Sequence, residues 1–196
     1  QRWNLGQAGG VDDVAFARDL LDHVEAQLCV DTQRVFAAGI SNGSAFSQLL
    51  ACKMPDRIAA VAAVAAMYLP LRCSSARPVG IIAFHGTADP CVPFEGGTSQ
   101  CGMGLPVPKV ETAAADWAKQ DGCNATPAQT SISAHVRTLA YSECNDDAAV
   151  VLYVIDGGGH TWPGSIDVAR LGATTHEISA TDEIWNFFQA QGARPR

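Results

Sequence analysis

Cationic side chains are scarce in this 196-residue chain, with 13 lysines and arginines against 20 aspartates and glutamates and a formal net charge of −7. They are also scattered, so no basic stripe exists to neutralise a phosphate backbone, and nucleic-acid binding is excluded as a function class. Long apolar runs are missing too. The most apolar stretch, 58–71, is Ala-rich and broken by Pro70. It is shorter than the ~20 residues of a helical span, so it reads as core and no membrane association is expected. No CxxC pair occurs, and His23, His135 and His176 have no partners at metal-ligand spacing. A zinc ribbon, a thioredoxin-type site and a metal centre are therefore not expected, and no cofactor is called for. There are no repeats and no low-complexity tract. The chain opens on Gln1 without a leader-like segment, which reads as a mature terminus or a cut.

What the chain does have is apolar mass and cysteine. Hydrophobic residues make up 47% of it, enough for one packed domain, taken here as 1–196. Seven cysteines in a chain of this length point to an oxidising compartment, hence to a secreted, extracellular or periplasmic protein.

Strands and helices alternate. Residues 11–27 carry Val14, Phe16, Ala17, Leu20, Leu21 and Val24 at helical spacing, with Asp12 and Asp13 at the start, where acidic side chains satisfy free N–H groups. Residues 34–38 (RVFAA) and 79–84 (VGIIAF) read as buried strands, and 44–53 as a helix stopped by Pro55. Residues 58–66 fit either state by periodicity, and their position favours a strand. A helix is predicted over 110–120 with Gly122 at its cap, strands over 135–141 and 149–155, and a last helix from Thr181 to about Gln191, capped by Thr181 or Ser179. Residues 96–108 form the one long loop. Strands alternating with helices imply an α/β fold with a mostly parallel, covered sheet.

The chemistry centres on Gly39-Ile40-Ser41-Asn42-Gly43, between a strand and a helix. GxSxG is weak by itself, but in that context it describes a sharp turn that lifts a serine above the sheet. Small residues are expected two positions to either side. The Asn42 N–H then lies at a helix N-terminus, aimed at a developing oxyanion. A serine nucleophile needs a base, and the base needs an orienting carboxylate. Asp89 follows the strand 79–84, in His85-Gly86-Thr87-Ala88-Asp89-Pro90. His160 follows the strand 149–155, after three glycines. Ser41, Asp89 and His160 thus follow strand ends in the order of an α/β-hydrolase triad. Asp156 is the rival acid, but it would crowd a histidine four residues away. His85 reads as a structural histidine.

The stretches VDDVAF (11–16), RVFAAGISNGSAFSQLLAC (34–52), HGTADPCVPFEGG (85–97) and GGGHTWPG (157–164) resemble the secreted esterases grouped as polyhydroxybutyrate depolymerases and feruloyl esterases, from about Trp3 onward. The resemblance implies an α/β-hydrolase three-layer sandwich, with Ser41 as nucleophile, Asp89 as acid and His160 as base. It implies that Trp162 lies beside the base, lining the acyl pocket or packing in the core. It also implies that the first strands, and the loop that supplies a second oxyanion N–H, precede VDDV and would come from an N-terminal segment outside this chain. The family more often has Gly where this chain has Ser44.

Three cysteine pairings are expected. Cys29 precedes the strand leading to Ser41 and Cys52 ends the helix returning from it, so these two are paired. Cys91 with Cys101 would close the loop after Asp89. Similar enzymes join the equivalents of Cys123 and Cys144. Cys73 is left for a partner upstream of the chain.

The expected function is a serine carboxylic ester hydrolase. Its partner would be an ester substrate, either a feruloylated or acetylated polysaccharide or a polyester. A non-catalytic binding module on the same scaffold and a serine peptidase of the same fold remain open at this point.

Overall fold

The computed structural model describes residues 2–7, 9–68, 73, 77–101 and 104–191. In chain order the elements are α1 (Asp13–Gln27), β1 (Phe36–Ile40), α2 (Asn42–Lys53), β2 (Ala60–Val64), β3 (Gly80–Gly86), β4 (Gly97–Thr98), β5 (Pro106–Val107), α3 (Val110–Gln120), β6 (Ala128–Ser131), β7 (Val136–Tyr141), β8 (Val150–Ile155) and α4 (Ala180–Ala190). No described helix is long and apolar enough to cross a membrane.

One six-stranded sheet runs in the order β1-β2-β3-β8-β7-β6. β1, β2, β3 and β8 are parallel, and β7 and β6 join antiparallel. β2 and β3 are buried at every residue, as continuous apolar strands covered on both faces should be. Side chains alternate between two cores. Val61, Ala63, Ile81, Ala83, Leu152 and Val154 face the layer of α2 and α3, against Phe46, Leu49 and Trp117. Ala62, Val64, Ile82, Phe84, Tyr153 and Ile155 face α4, against Ile184 and Phe188. This is a three-layer α/β sandwich.

The structure moves several expected boundaries. β1 runs through Gly39 and Ile40 rather than stopping at Ala38, and α2 starts at Asn42 rather than Ser44. Only Ser41 separates strand from helix. β6 (AQTS) was not expected, because its four residues are all exposed and carry no apolar pattern. It exists by pairing with β7. The loop 96–108 contains the short β4–β5 pair. Ser179, not Thr181, caps α4, accepting from the Asp182 N–H at 3.3 Å. Asp12 caps α1 through the Ala15 N–H. The apolar stripe of α1 is only half used: Val14, Ala17 and Leu21 pack on the core, whereas Phe16 and Leu20 are exposed.

The disulfides correct one pairing. Cys52 is bonded to Cys73, and Cys29 is free and exposed. Cys29 precedes β1 as expected, but it lies exposed in the segment between α1 and β1. Cys73 lies before β3, whose neighbour β2 follows α2, and so meets the end of that helix. Cys91–Cys101 and Cys123–Cys144 are joined.

Candidate active site

The carboxyl ends of the parallel strands carry the chemistry, and backbone hydrogen bonds tie their extensions together. The Ser41 N–H donates to Val64 O, Ala65 N–H to Phe84 O, Thr87 N–H to Ile155 O and Ala88 N–H to Gly158 O. The segments holding Ser41, Asp89 and His160 therefore leave one edge of one sheet.

Ser41 has φ 57° and ψ −119°. Holding a non-glycine residue in such a sparsely populated positive-φ region costs ~1–3 kcal/mol. Ser41 is held there by the turn on either side, where β1 ends at Ile40 and the helical bond from Ala45 N–H to Ser41 O has already formed. The turn depends on Gly39. A Cβ there would lie 2.3 Å from the Gly43 carbonyl carbon, whereas a Cβ on Gly43 meets nothing within 4 Å. The smallness expected on both sides of the serine is thus required only on the strand side.

Asp89 is buried, and each carboxylate oxygen has a defined role. Oδ1 accepts the N–H groups of Cys91 at 2.7 Å and Val92 at 2.8 Å. Oδ2 lies 2.8 Å from His160 Nδ1. The imidazole therefore carries its proton on Nδ1, leaving Nε2 as a base. His160 is delivered by its glycines. Gly157 has φ +73°, and a Cβ on Gly159 would lie 2.2 Å from Leu171 O. Backbone bonds from Gly159 N–H to Ala173 O and from His160 N–H to Leu171 O close that loop.

His85 supports the acid from beneath. Its Nε2–H donates to Val92 O at 2.9 Å and lies 3.4 Å from Asp89 Oδ2. Burial holds its pKa below the ordinary histidine value, so it stays neutral there. Asp89, Cys91 and His160 cluster within 4.8 Å. The Cys91 sulfur is bonded to Cys101, so it has no thiolate to offer a metal.

Ser41 and Asn42 open onto a groove of about 450 Å³. Its walls are mainly apolar, from Ala45 and Leu49 of α2, Met67 and Tyr68 beyond β2, and Leu105 before β5. The N-terminal arm closes one side: Leu5 and Gly6 line the groove. The Asn42 side-chain amide clasps the Trp3 backbone in both directions. Trp3 stacks on Phe46 with ring centroids 4.5 Å apart.

Asp89 and His160 are thus in direct contact, and Ser41 and Asn42 share the groove. Among the described residues the Ser41 hydroxyl makes no hydrogen bond to His160. Such bonds are often long before substrate binds. Trp162 is not brought to the groove. It packs against the α4-side core, and its indole N–H donates to Thr181 Oγ1 at 3.1 Å. Pro163 and Gly164, which follow it, bond to the loop and helix start on that side. Sequence reasoning missed Met67 and Tyr68. The rule that located Asp89, looking just past a strand's carboxyl end, applied to β2 would have reached them.

Residues 1–93 match the family model described as Esterase PHB depolymerase. The chain is 36% identical over 169 residues to feruloyl esterase B of Piromyces equi, covering 82% of this chain and 31% of that protein. It is 31% identical to feruloyl esterase C of Emericella nidulans, covering 91% of this chain and 58% of that one. Its fold matches an acetyl xylan esterase from Aspergillus awamori with a TM-score of 0.61 at 13% identity, over 91% of this chain and 67% of that one. The chain thus spans between 31% and 58% of the length of these curated relatives. The family-model match over residues 1–93 and the likeness to feruloyl esterases along most of the chain support the esterase family of polyhydroxybutyrate depolymerases and feruloyl esterases.

Proposed function

We propose that this protein hydrolyses carboxylic esters through an acyl-enzyme on Ser41, with His160 as base, Asp89 as the acid that orients it and the Asn42 N–H as oxyanion donor. The observation that carries the reading is the positive-φ Ser41 between β1 and α2. Strain of this kind persists at functional positions because the surroundings over-determine it.

Ser41 Oγ attacks the ester carbonyl carbon while His160 Nε2 takes the hydroxyl proton. The tetrahedral oxyanion forms beside the N-terminus of α2, where the Asn42 N–H has no intrahelical acceptor. The imidazolium then protonates the departing alcohol as the C–O bond breaks. A water molecule, deprotonated by His160, attacks the acyl carbonyl, and Ser41 leaves with the proton returned. Asp89 keeps the imidazole in one tautomer and offsets its transient charge.

The groove beside Ser41 supports an acyl group with a sizeable apolar part. Feruloyl or acetyl esters of plant polysaccharide and aliphatic polyesters are the substrate classes in view, a feruloyl group making fuller use of the groove than an acetyl. Three disulfides favour a secreted protein.

The missing Ser41–His160 hydrogen bond favours one rival, a binding module on the same scaffold. Fluorophosphonate labelling separates the two. An adduct on Ser41 that disappears in Ser41→Ala supports the esterase, and a folded protein that forms none refutes it. Turnover of p-nitrophenyl acyl esters without cleavage of peptide substrates separates it from a peptidase.

A further inference from the structure

Beyond β2 the chain makes a second strained turn. Ala65 has φ 54°, a conformation that costs a residue with a Cβ ~1–2 kcal/mol. The turn carries Ala66, Met67 and Tyr68 to the groove that Ser41 faces. Something must hold it, and the holders are two fully buried polar residues of α2, Ser44 and Gln48.

The Ser44 hydroxyl donates to Ala66 O at 2.5 Å. The Gln48 amide nitrogen donates to the same oxygen at 2.9 Å and also approaches Ser44 O at 3.1 Å and Ser44 Oγ at 3.2 Å. Its carbonyl oxygen accepts the Tyr68 N–H at 2.9 Å. With acceptors on one side and a donor on the other, the amide fits in only one orientation. Tyr68 is tethered twice more. Its hydroxyl donates to Ala45 O at 3.2 Å, and its carbonyl accepts the Trp117 indole N–H at 2.9 Å. Burial pushes the Tyr68 phenol up to about 12, so it remains a donor.

Two buried polar side chains with no contact to solvent are a costly way to fill space, where Ala and Leu would serve. Their spacing explains their use. Ser44 and Gln48 are one helical turn apart on the helix that Ser41 begins. The groove wall is thereby fastened to the same rigid body as the serine, and its distance from Ser41 is fixed by helix geometry rather than by a loop.

We propose that Ser44 and Gln48 are positioning residues that set acyl selectivity by holding the Ala66–Tyr68 wall of the groove in register with Ser41. This rests on the groove being the acyl site of an esterase. A wall so held favours acyl groups long enough to reach it and is indifferent to an acetyl group, which ends short of it.

The test uses Gln48→Leu and, should that variant fold poorly, Ser44→Ala, each confirmed folded by circular dichroism. Octanoate binding is measured by titration, and reaction is followed with octanoyl and acetyl p-nitrophenyl esters and with a short-chain fluorophosphonate on the unsubstituted protein. The octanoyl-to-acetyl ratio of kcat/KM is expected to fall about tenfold, chiefly through KM, with octanoate affinity falling in parallel. A ratio and an affinity that stay put in a folded variant overturn the proposal, as does an unsubstituted protein that does not bind octanoate. If the unsubstituted protein forms no Ser41 adduct but octanoate affinity still falls in the variants, the esterase reading fails and the wall assignment stands.

Discussion

His160 Nδ1 donates to Asp89 Oδ2 at 2.8 Å across 71 residues of sequence, while the other Asp89 oxygen is held by two backbone N–H groups. Asp89 cannot rotate to leave the histidine without abandoning both. Its substitution should therefore act on the imidazole alone. In Asp89→Asn the amide can keep its oxygen on the Cys91 and Val92 N–H groups only by turning NH2 toward His160. That stabilises the tautomer with the proton on Nε2, which cannot take a proton from Ser41. The expected result is a fall in kcat of about 10⁴-fold with KM little changed. Steady-state kinetics on p-nitrophenyl acetate measures it, and a loss below about tenfold would remove Asp89 from the triad.

The two glycines of the serine turn should behave differently. A Cβ at position 39 runs into the backbone of Gly43 and Ser44, at 2.3 and 2.8 Å, and backbone cannot move aside without unwinding the turn. Gly39→Ala is expected to cost about 3 kcal/mol or to prevent folding. Gly43→Ala meets nothing within 4 Å, and in the first turn of a helix alanine is the better residue, so stability should hold or rise by up to ~1 kcal/mol. Urea melts of the two variants read this directly. Equal destabilisation would show that the pentapeptide needs both glycines for another reason.

Much of this site was legible because it follows strand ends. Ser41, Asp89 and His160 each come after an apolar run closed by glycine, and a strand buried on both faces announces itself by composition. What stayed hidden was set by distance in space. β6 has no apolar residue to mark it beyond Ala128 and depends on β7 for existence. The groove walls at Met67 and Tyr68 are fastened by Ser44 and Gln48, whose spacing on a helix is visible in sequence but whose acceptor on Ala66 is not. Trp162 sits two residues beyond His160, yet its ring goes to the α4 side. Closeness in sequence to a functional residue says nothing of which face a side chain takes.

The Cys29–Cys52 pairing failed for the same reason, whereas Cys91–Cys101 and Cys123–Cys144 were met, and the difference gives a sharp chemical test. Alkylation without reduction should modify Cys29 alone, and digestion should yield a Cys52–Cys73 peptide. A modified Cys73 together with a Cys29–Cys52 peptide would restore the pairing expected from the sequence. The bridge joins residues 21 apart, and closing a loop of that size restrains the unfolded chain by about 3 kcal/mol. Replacing both cysteines by alanine should lower unfolding stability by about that much, while Cys29→Ala should change it by less than ~0.5 kcal/mol.

Glu177 links the loop after His160 to the start of β7. It accepts the His135 backbone N–H at 3.1 Å and pairs with the His135 ring at 2.5 Å. Donors on Ser133 and His135 hold the Glu177 carboxyl at about 2, and donating to Glu177 raises the His135 pKa, with Asp156 adding to it. The two shifts act at opposite ends of the pH scale. A raised histidine stabilises the fold fully below its unfolded value near 6.5, and the effect is lost as pH rises through the higher folded value. A depressed glutamate stabilises above its unfolded value near 4.5, and the effect is lost as pH falls toward about 2. The pair therefore contributes most between about pH 4.5 and 6.5. Both side chains reach solvent, so the contribution is modest and screened by salt. Comparing Tm of the protein with that of Glu177→Gln across pH 4 to 9 should give a gap that is widest near pH 5 to 6, narrows above the folded His135 value and shrinks in high salt. A gap that is constant with pH would mean that Glu177 acts through its backbone contact to His135 and not through the charge of the ring.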